Sequence, residues 1–248
     1  DHEPVLALDS RDPPEVPPGK PYAELDFCWY GGLYRDVELR VYPVLHVTDP
    51  VAAGEVAGGG VFIRTLEASP EEARISAKTH VRNTGADALS AVVRVEFFHR
   101  DQCVASVTSG ERLLPAGGAD HVETEIVIRR PKLWSIDQPS LHDVRVTVLS
   151  GGAAIDGWAG RFGIRRIGFS RSGGFQLNGR RVRLRGTNRH QEIPYAGYAA
   201  RKAAQYRDAR RIKEAGFDYV RLSHYPQSPH FLDACDELGI VVMNAIPG

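Results

Sequence analysis

Two polar clusters dominate the second half of the chain: Arg185-Gly-Thr-Asn-Arg-His190 and Arg221-Leu-Ser-His-Tyr-Pro226. Their residue types can do chemistry together. A fixed guanidinium such as Arg221 holds a neighbouring carboxylate ionised and lowers its pKa. The imidazoles of His190 and His224 can donate to a hydroxyl or to a developing charge. Asn188 can steady the loop between them. Each has a plainer reading: an arginine paired with a structural acid, or a loop side chain bonded to backbone. Tyr225 and Pro226 are read as shaping the turn, and Arg185 and Arg189 as ion-pair partners. Glu192 follows His190, but a single acid cannot perform paired-carboxylate chemistry. Asp236 and Glu237 fall near a helix end, where a solvated role is expected. Trp29 and Trp134 are expected to pack rather than to stack on a ligand. His46, His80, His99, His121 and His142 show no ligand-like spacing, and His80 is expected on a wet strand face.

Something must position these clusters. Residues 201–215 repeat at helical spacing and end at Gly216. Phe217 to Leu222 reads as a strand. Ser228 can cap a second helix with Pro229 at its first position, which Gly239 closes after Leu238. Ile240 to Met243 is another apolar strand. Just upstream, Phe175-Gln-Leu177, Asn178-Gly179 and Arg180 to Leu184 predict a hairpin, because Asn-Gly accepts the positive φ that its turn demands. Each polar cluster is read as lying just past an apolar strand. Strand–helix alternation of this kind is a parallel α/β pattern, and polar residues on successive strand ends are how a (β/α) barrel builds a site. The stretch from Ile164 to Gly248 is about a third of the roughly 250 residues of a complete barrel. The barrel is therefore expected to be unfinished within these residues, or the strands to belong to a smaller open sheet.

Upstream the grammar differs. From about residue 43 to 163 apolar residues recur with period two. Ile75, Ala77, Thr79 and Val81 form one set, and Val93, Val95 and Phe97 another. Val122, Thr124, Ile126 and Ile128 make a third, and Val144, Val146 and Val148 a fourth. Asn83-Thr-Gly85, Pro115-Ala-Gly-Gly118 and Ser150-Gly-Gly152 separate them. This predicts an antiparallel sandwich of about 100 residues. Residues 1 to about 20 are Pro-rich and expected to be irregular. Val37, Leu39 and Val41 alternate as a strand would.

Composition narrows the partners. Thirty-one basic and 31 acidic residues cancel, so charge makes no case for nucleic acid or an anionic membrane. No apolar run approaches the ~20 residues needed to span a bilayer. Cys28, Cys103 and Cys235 are odd in number and far apart, suggesting buried thiols rather than a disulfide framework or zinc site.

The ordered motifs resemble glycoside hydrolase family 2. Trp29-Tyr-Gly-Gly-Leu-Tyr-Arg-Asp-Val37 resembles the end of that family's N-terminal jelly roll. Pro131-Lys-Leu-Trp-Ser135 and Gln138-Pro-Ser-Leu-His142 resemble the end of its middle domain, and Phe162-Gly-Ile-Arg165 the passage onward. Leu177-Asn-Gly-Arg180, Leu184 to His190, Asp208, Ala215-Gly-Phe217 and Val220 to Pro226 resemble the opening of its barrel. The resemblance implies a multidomain β plus α/β protein. Residues 1–42 would be the tail of a sugar-binding jelly roll and linker, 43–163 an immunoglobulin-like antiparallel β-sandwich, and 164–248 the first strands and helices of an incomplete TIM (β/α)8 barrel.

The resemblance further implies a retaining hydrolase of terminal β-linked sugars, best matched to β-galactosides through Arg189 to Tyr198. A β-glucuronidase-type member is the near alternative, and a non-catalytic carbohydrate-binding or structural sandwich module the distant one. The family's two catalytic glutamates belong to the fourth and seventh barrel strands. No catalytic residue is therefore expected in this chain, and the chain alone is expected to be inactive. Arg221, His224, His190 and Asn188 remain as substrate-binding or site-supporting residues. No cofactor is required; some relatives use Mg2+ or Na+, for which no ligand set can be assembled here. Many relatives carry a Glu at the end of the third strand, where this chain has Asn244 and Ala245. Homo-oligomerisation stays open. So does localisation, cytoplasmic or secreted, because a leader could lie upstream of Asp1.

Overall fold

The computed structural model describes residues 33–245. Its compact units are Arg40–Arg183 and Leu184 onward, the latter taking in the described residues up to Leu39. The expectations for Pro-rich residues 1–20, for Cys28 and for Trp29 fall outside the described residues.

The first unit holds β1 (Leu45–Val47), β2 (Val61–Ala68), β3 (Glu72–Asn83), β4 (Leu89–His99), β5 (Gln102–Thr108), β6 (Arg112–Leu114), β7 (Ala119–Arg129), β8 (His142–Ser150) and β9 (Ala153–Phe162). In one sheet β7 pairs with one edge of β3, while β2 and β1 share the other. The second sheet runs β5-β4-β8-β9, with β6 extending the β5 edge. Every pairing is antiparallel. This is an immunoglobulin-like sandwich, and period-two patterning explains it: alternate side chains meet between two sheets. Ile75, Ala77 and Val81 of β3, Val93, Val95 and Phe97 of β4, Ile126 and Ile128 of β7, and Val144, Val146 and Val148 of β8 form one buried core. Trp134 is also buried, with the Arg165 guanidinium over its ring.

The sandwich departs from three expectations. His80 is 1% exposed rather than on a wet face. The connection from β1 to β2 covers that end of β3: the Thr48 N–H donates to the His80 carbonyl, and the His80 N–H to that of Gly60. Cys103 is exposed, because it lies on the edge strand β5 and not on a central strand. Val37, Leu39 and Val41 lie outside any strand and are largely exposed, and among the described residues no strand pairs with them.

A small antiparallel sheet follows, of β10 (Ile167–Ser170), β11 (Gly174–Leu177) and β12 (Arg180–Arg181). Asn178 at φ 52° and Gly179 at φ 76° make the hairpin turn, both left-handed as Asn-Gly predicts. The Asn178 side chain donates to the Trp134 carbonyl.

The second unit holds β13 (Gly186–Arg189), α1 (Lys202–Glu214), β14 (Tyr219–Leu222), α2 (Pro229–Leu238) and β15 (Val241–Met243). The three strands are parallel in the order β13-β14-β15. They are the opening of a TIM barrel. Gly216 (φ 85°) stops α1, and Gly239, left-handed at φ 72°, stops α2. Ser228 stands at the N-cap of α2 but makes no side-chain cap; its backbone N–H donates to Gln191 Oε1 instead. Val220, Leu222, Phe231, Ala234, Cys235 and Ile240 bury one face of the sheet against the helices.

One placement differs from the sequence reading. The cluster 185–190 does not follow a strand: residues 186–189 are the strand. Val182 and Leu184 lie outside the strands, and the hairpin's return strand covers only Arg180–Arg181. Backbone pairing with β14, not side-chain apolarity, defines β13. Gly186 permits it, since a Cβ there would stand 2.2 Å from Tyr219 Cδ1.

Candidate functional site

Strand alternation sorts the polar residues of the parallel sheet into two faces. Val220 and Leu222 point into the helix-covered core. Arg221, between them, therefore points to the opposite face. Asn188 pairs with Arg221, and Arg221 with Met243. These three residues cross the face that, among the described residues, no helix of this unit covers, which is the inner face of a barrel.

The carboxyl end of β14 organises the cluster. Arg221 Nη1 donates to Ser223 Oγ at 3.0 Å, and Nη2 donates to His224 Nδ1 at 3.2 Å. A guanidinium only donates, so His224 Nδ1 accepts and the ring carries its proton on Nε2. His224 is exposed and Arg221 half-buried. A cis peptide joins Ser223 and His224. His190, the residue after β13, packs edge-on to His224 with ring centroids 5.5 Å apart. Its Nδ1 is 3.3 Å from the Tyr225 hydroxyl. Arg221, His224 and His190 thus meet at one rim. Asn188 is exposed on the strand beside Arg221 rather than in the loop.

Aromatic residues extend the rim. Tyr198 lies 5.3 Å from Tyr225, and Tyr34 5.5 Å from Tyr198. Burial is the chief cause pushing both the Tyr198 and the Tyr225 hydroxyl pKa above the ordinary phenol range, with the Glu192 charge adding to it. Both stay neutral donors at physiological pH. Arg35 donates to the Pro226 carbonyl at 3.1 Å. In sequence Tyr225 reads as shaping a turn, and nothing in sequence marks Tyr198 or Tyr34 as site residues. Their positions depend on loop paths that short-range periodicity does not encode.

Beneath the rim Arg189 acts as a tie. It points away from Arg221, into the helix layer, and is buried. Nη1 donates to Gln227 Oε1 at 2.6 Å; Nη2 donates to Gln205 Oε1 at 2.7 Å and Asp208 Oδ2 at 2.9 Å. Its guanidinium carbon lies 3.9 Å from the Phe231 ring centroid. Gln227 Nε2 returns a bond to the Arg189 carbonyl. One side chain so joins β13, α1, the loop after β14, and α2. Burial is the main cause lowering its pKa, with Asp208 acting against it. Arg189 therefore positions the strand ends that carry His190 and His224, and is not a group of the rim.

The sandwich brings a second set together. Among the described residues, Glu55, His80 and His121 each offer one ligand atom within 4.8 Å of the others. The sandwich histidines show no ligand-like spacing along the chain, yet two of them stand side by side in space. Strand pairing, not sequence spacing, unites them.

Comparison with known proteins covers both units. Residues 59–165 match the family model "Glycosyl hydrolases family 2", and residues 170–248 match "Glycosyl hydrolases family 2, TIM barrel domain". A β-galactosidase of Thermoanaerobacter pseudethanolicus is 32% identical over 98% of this chain and 31% of its own length. A putative β-glucuronidase of Formosa agariphila is 33% identical over 98% of this chain and 27% of its own. The crystal structure of a Bacteroides uniformis β-glucuronidase superposes with a TM-score of 0.84 at 28% identity, covering 97% of this chain and 28% of that one. The chain spans about a third of the length of the curated relatives it matches.

Proposed function

Because the chain belongs to glycoside hydrolase family 2, we propose that the protein containing these residues is a retaining glycosidase of terminal β-linked sugars. Residues 43–163 are its sandwich domain and 164–248 the opening of its catalytic barrel. One observation carries the reading. Arg221, His224 and His190 converge at the carboxyl ends of adjacent parallel strands, where barrel enzymes build their sites.

The chemistry divides accordingly. Retention requires two carboxyl groups ~5–5.5 Å apart, one protonating the leaving oxygen and one attacking the anomeric carbon. The resemblance assigns both glutamates to later barrel strands. The described rim supplies what such a pair needs around it. Arg221, tied to Ser223 and His224, provides a fixed positive charge that keeps a nucleophilic carboxylate ionised. His190 and the Nε2–H of His224 donate to sugar hydroxyls. Tyr225 and Tyr198 give neutral donors and flat apolar walls.

β-Galactosides are the substrate class supported by the Thermoanaerobacter relative and by the resemblance of the Arg189–Tyr198 tract. β-Glucuronides are the second reading, supported by the Formosa relative and the Bacteroides uniformis superposition. The test assays the gene product containing these residues on nitrophenyl β-galactoside and β-glucuronide, and follows the first-formed anomer by NMR. Hydrolysis with retention is expected. Arg221→Ala should lower kcat/KM roughly 100-fold or more, and His224→Ala less. Hydrolysis of neither substrate, or tight galactose binding without turnover, would defeat the proposal in favour of a binding module.

A further inference from the structure

The Glu55, His80 and His121 cluster belongs to no part of the glycosidase reading, and its construction is specific. His80 on β3 and His121 on β7 are direct cross-strand partners, so their side chains leave the sheet on the same face. Their rings lie 4.5 Å apart. The connection from β1 to β2 folds over that face and carries Glu55. One Glu55 oxygen lies 2.9 Å from His121 Nε2, and the other 3.6 Å from His80 Nε2. Gly58 leaves room for the Glu55 carboxylate, since a Cβ there would stand 2.8 Å from Glu55 Oε2.

The surroundings aim the rings. His80 Nδ1 bonds to Thr48 Oγ1 at 2.9 Å, leaving Nε2 turned toward Glu55. Thr48 Oγ1 is itself held by the Gly60 N–H at 3.0 Å. An outer partner on the far nitrogen is how proteins orient a metal-ligating histidine. His121 Nδ1 is buried without a partner, so that ring's polar contact is also on the Glu55 side.

We propose that Glu55, His80 and His121 bind a divalent transition-metal ion and thereby fasten the β1–β2 connection onto the sandwich. Two imidazoles and one carboxylate suit Zn2+, Co2+, Ni2+ or Cu2+, whereas Mg2+ and Ca2+ favour all-oxygen shells. Three protein ligands leave a fourth position to water. Ligation at ~2.0–2.2 Å would draw together the three atoms, which now lie within 4.8 Å of one another.

The test uses the untagged chain, stripped with a chelator, and Zn2+ as probe, read by competition with a chromophoric chelator. One equivalent of Zn2+ should bind and raise Tm, and Mg2+ should do neither. Co2+ should give the visible absorption of a four-coordinate site. Glu55→Gln and His121→Gln, both at partly exposed positions, should each abolish stoichiometric binding. Thr48→Val should weaken it ~10–100-fold, and His99→Gln, elsewhere on the sandwich, should leave it unchanged. NMR of the wild-type chain should show Zn2+ shifting the His80 and His121 ring signals. No stoichiometric uptake, uptake unchanged by both Glu55→Gln and His121→Gln, or shifts confined to other histidines would overturn the proposal. Glu55 would then be only a hydrogen-bond partner of the two imidazoles.

Discussion

The sandwich and the barrel opening hold themselves together by different means. The sandwich packs aliphatic and aromatic side chains of four long strands between two sheets, with Phe97 and Val95 wholly buried. The barrel opening has short strands of three or four residues, and its apolar core is a single sheet face against two helices. Its strand ends are instead joined by Arg189 of β13, whose guanidinium contacts groups from α1, the loop after β14, and α2. The difference follows from strand chemistry. Long antiparallel strands stabilise themselves by the area they bury. Short parallel strands ending in polar site residues lack that area, so a buried polar side chain takes over the positioning. The arrangement is stabilising only while its partners are present, because an uncompensated buried charge is costly.

Breaking the comparison at its strongest points should show comparable losses by unlike routes. Arg189→Met leaves Asp208 and two glutamines without their partner, and should destabilise the barrel opening by about 3–5 kcal/mol. Hydrogen exchange should show faster opening of β13, β14 and α2 with the sandwich amides unchanged. Phe97→Ala should cost the sandwich about 3–5 kcal/mol through a cavity, read by urea unfolding of the sandwich signals.

A pH experiment probes the sandwich alone. Burial is the first cause lowering the His142 pKa to about 4, with nearby His99 adding to it. The folded state therefore keeps this ring neutral while the unfolded chain protonates it near the ordinary value of about 6.5. Stability from this residue is full above about pH 6.5, falls as pH drops below that, and is gone below about pH 4. The loss is about 3 kcal/mol. Replacing His142 with Gln should flatten the profile across that window.

Smaller effects sharpen the account of the local elements. Gly179→Ala should cost about 1–2 kcal/mol, because its φ of 76° is left-handed. Ser228→Ala should cost well below the ~1 kcal/mol of a usual helix cap, since its hydroxyl makes no cap bond. A full cap penalty in thermal unfolding would show that the hydroxyl engages the helix in solution.

Much of the fold was legible in residue order. Alternation marked the buried faces of β3, β4, β7 and β8, and Asn178-Gly179 marked the hairpin. Pro229 and Gly239 bounded α2 at the residues observed. The weaker patterns misled for identifiable reasons. Val37, Leu39 and Val41 alternate, but alternation makes a strand only where a neighbour supplies hydrogen bonds. His80 alternates with core residues and so reads as solvated, yet a covering loop buries it. β13 carries Gly186, Asn188 and Arg189, with no apolar signature, and exists because β14 pairs with it.

The candidate site divides along the same line. Arg221 and His224 stand out in sequence because polar residues interrupt and follow an apolar strand pattern, and His190 because the family motif runs through it. Residue order alone set which side chains are apolar, where glycine ends a helix, and which polar groups the strand ends carry. Tertiary structure decided that Arg189 faces the helices while Arg221 faces the open side. It also brought Tyr34 to Tyr198, and Glu55 to His80 and His121. Those outcomes depend on pairing register and loop path, which are fixed by contacts between residues far apart in the chain and leave no local period to read.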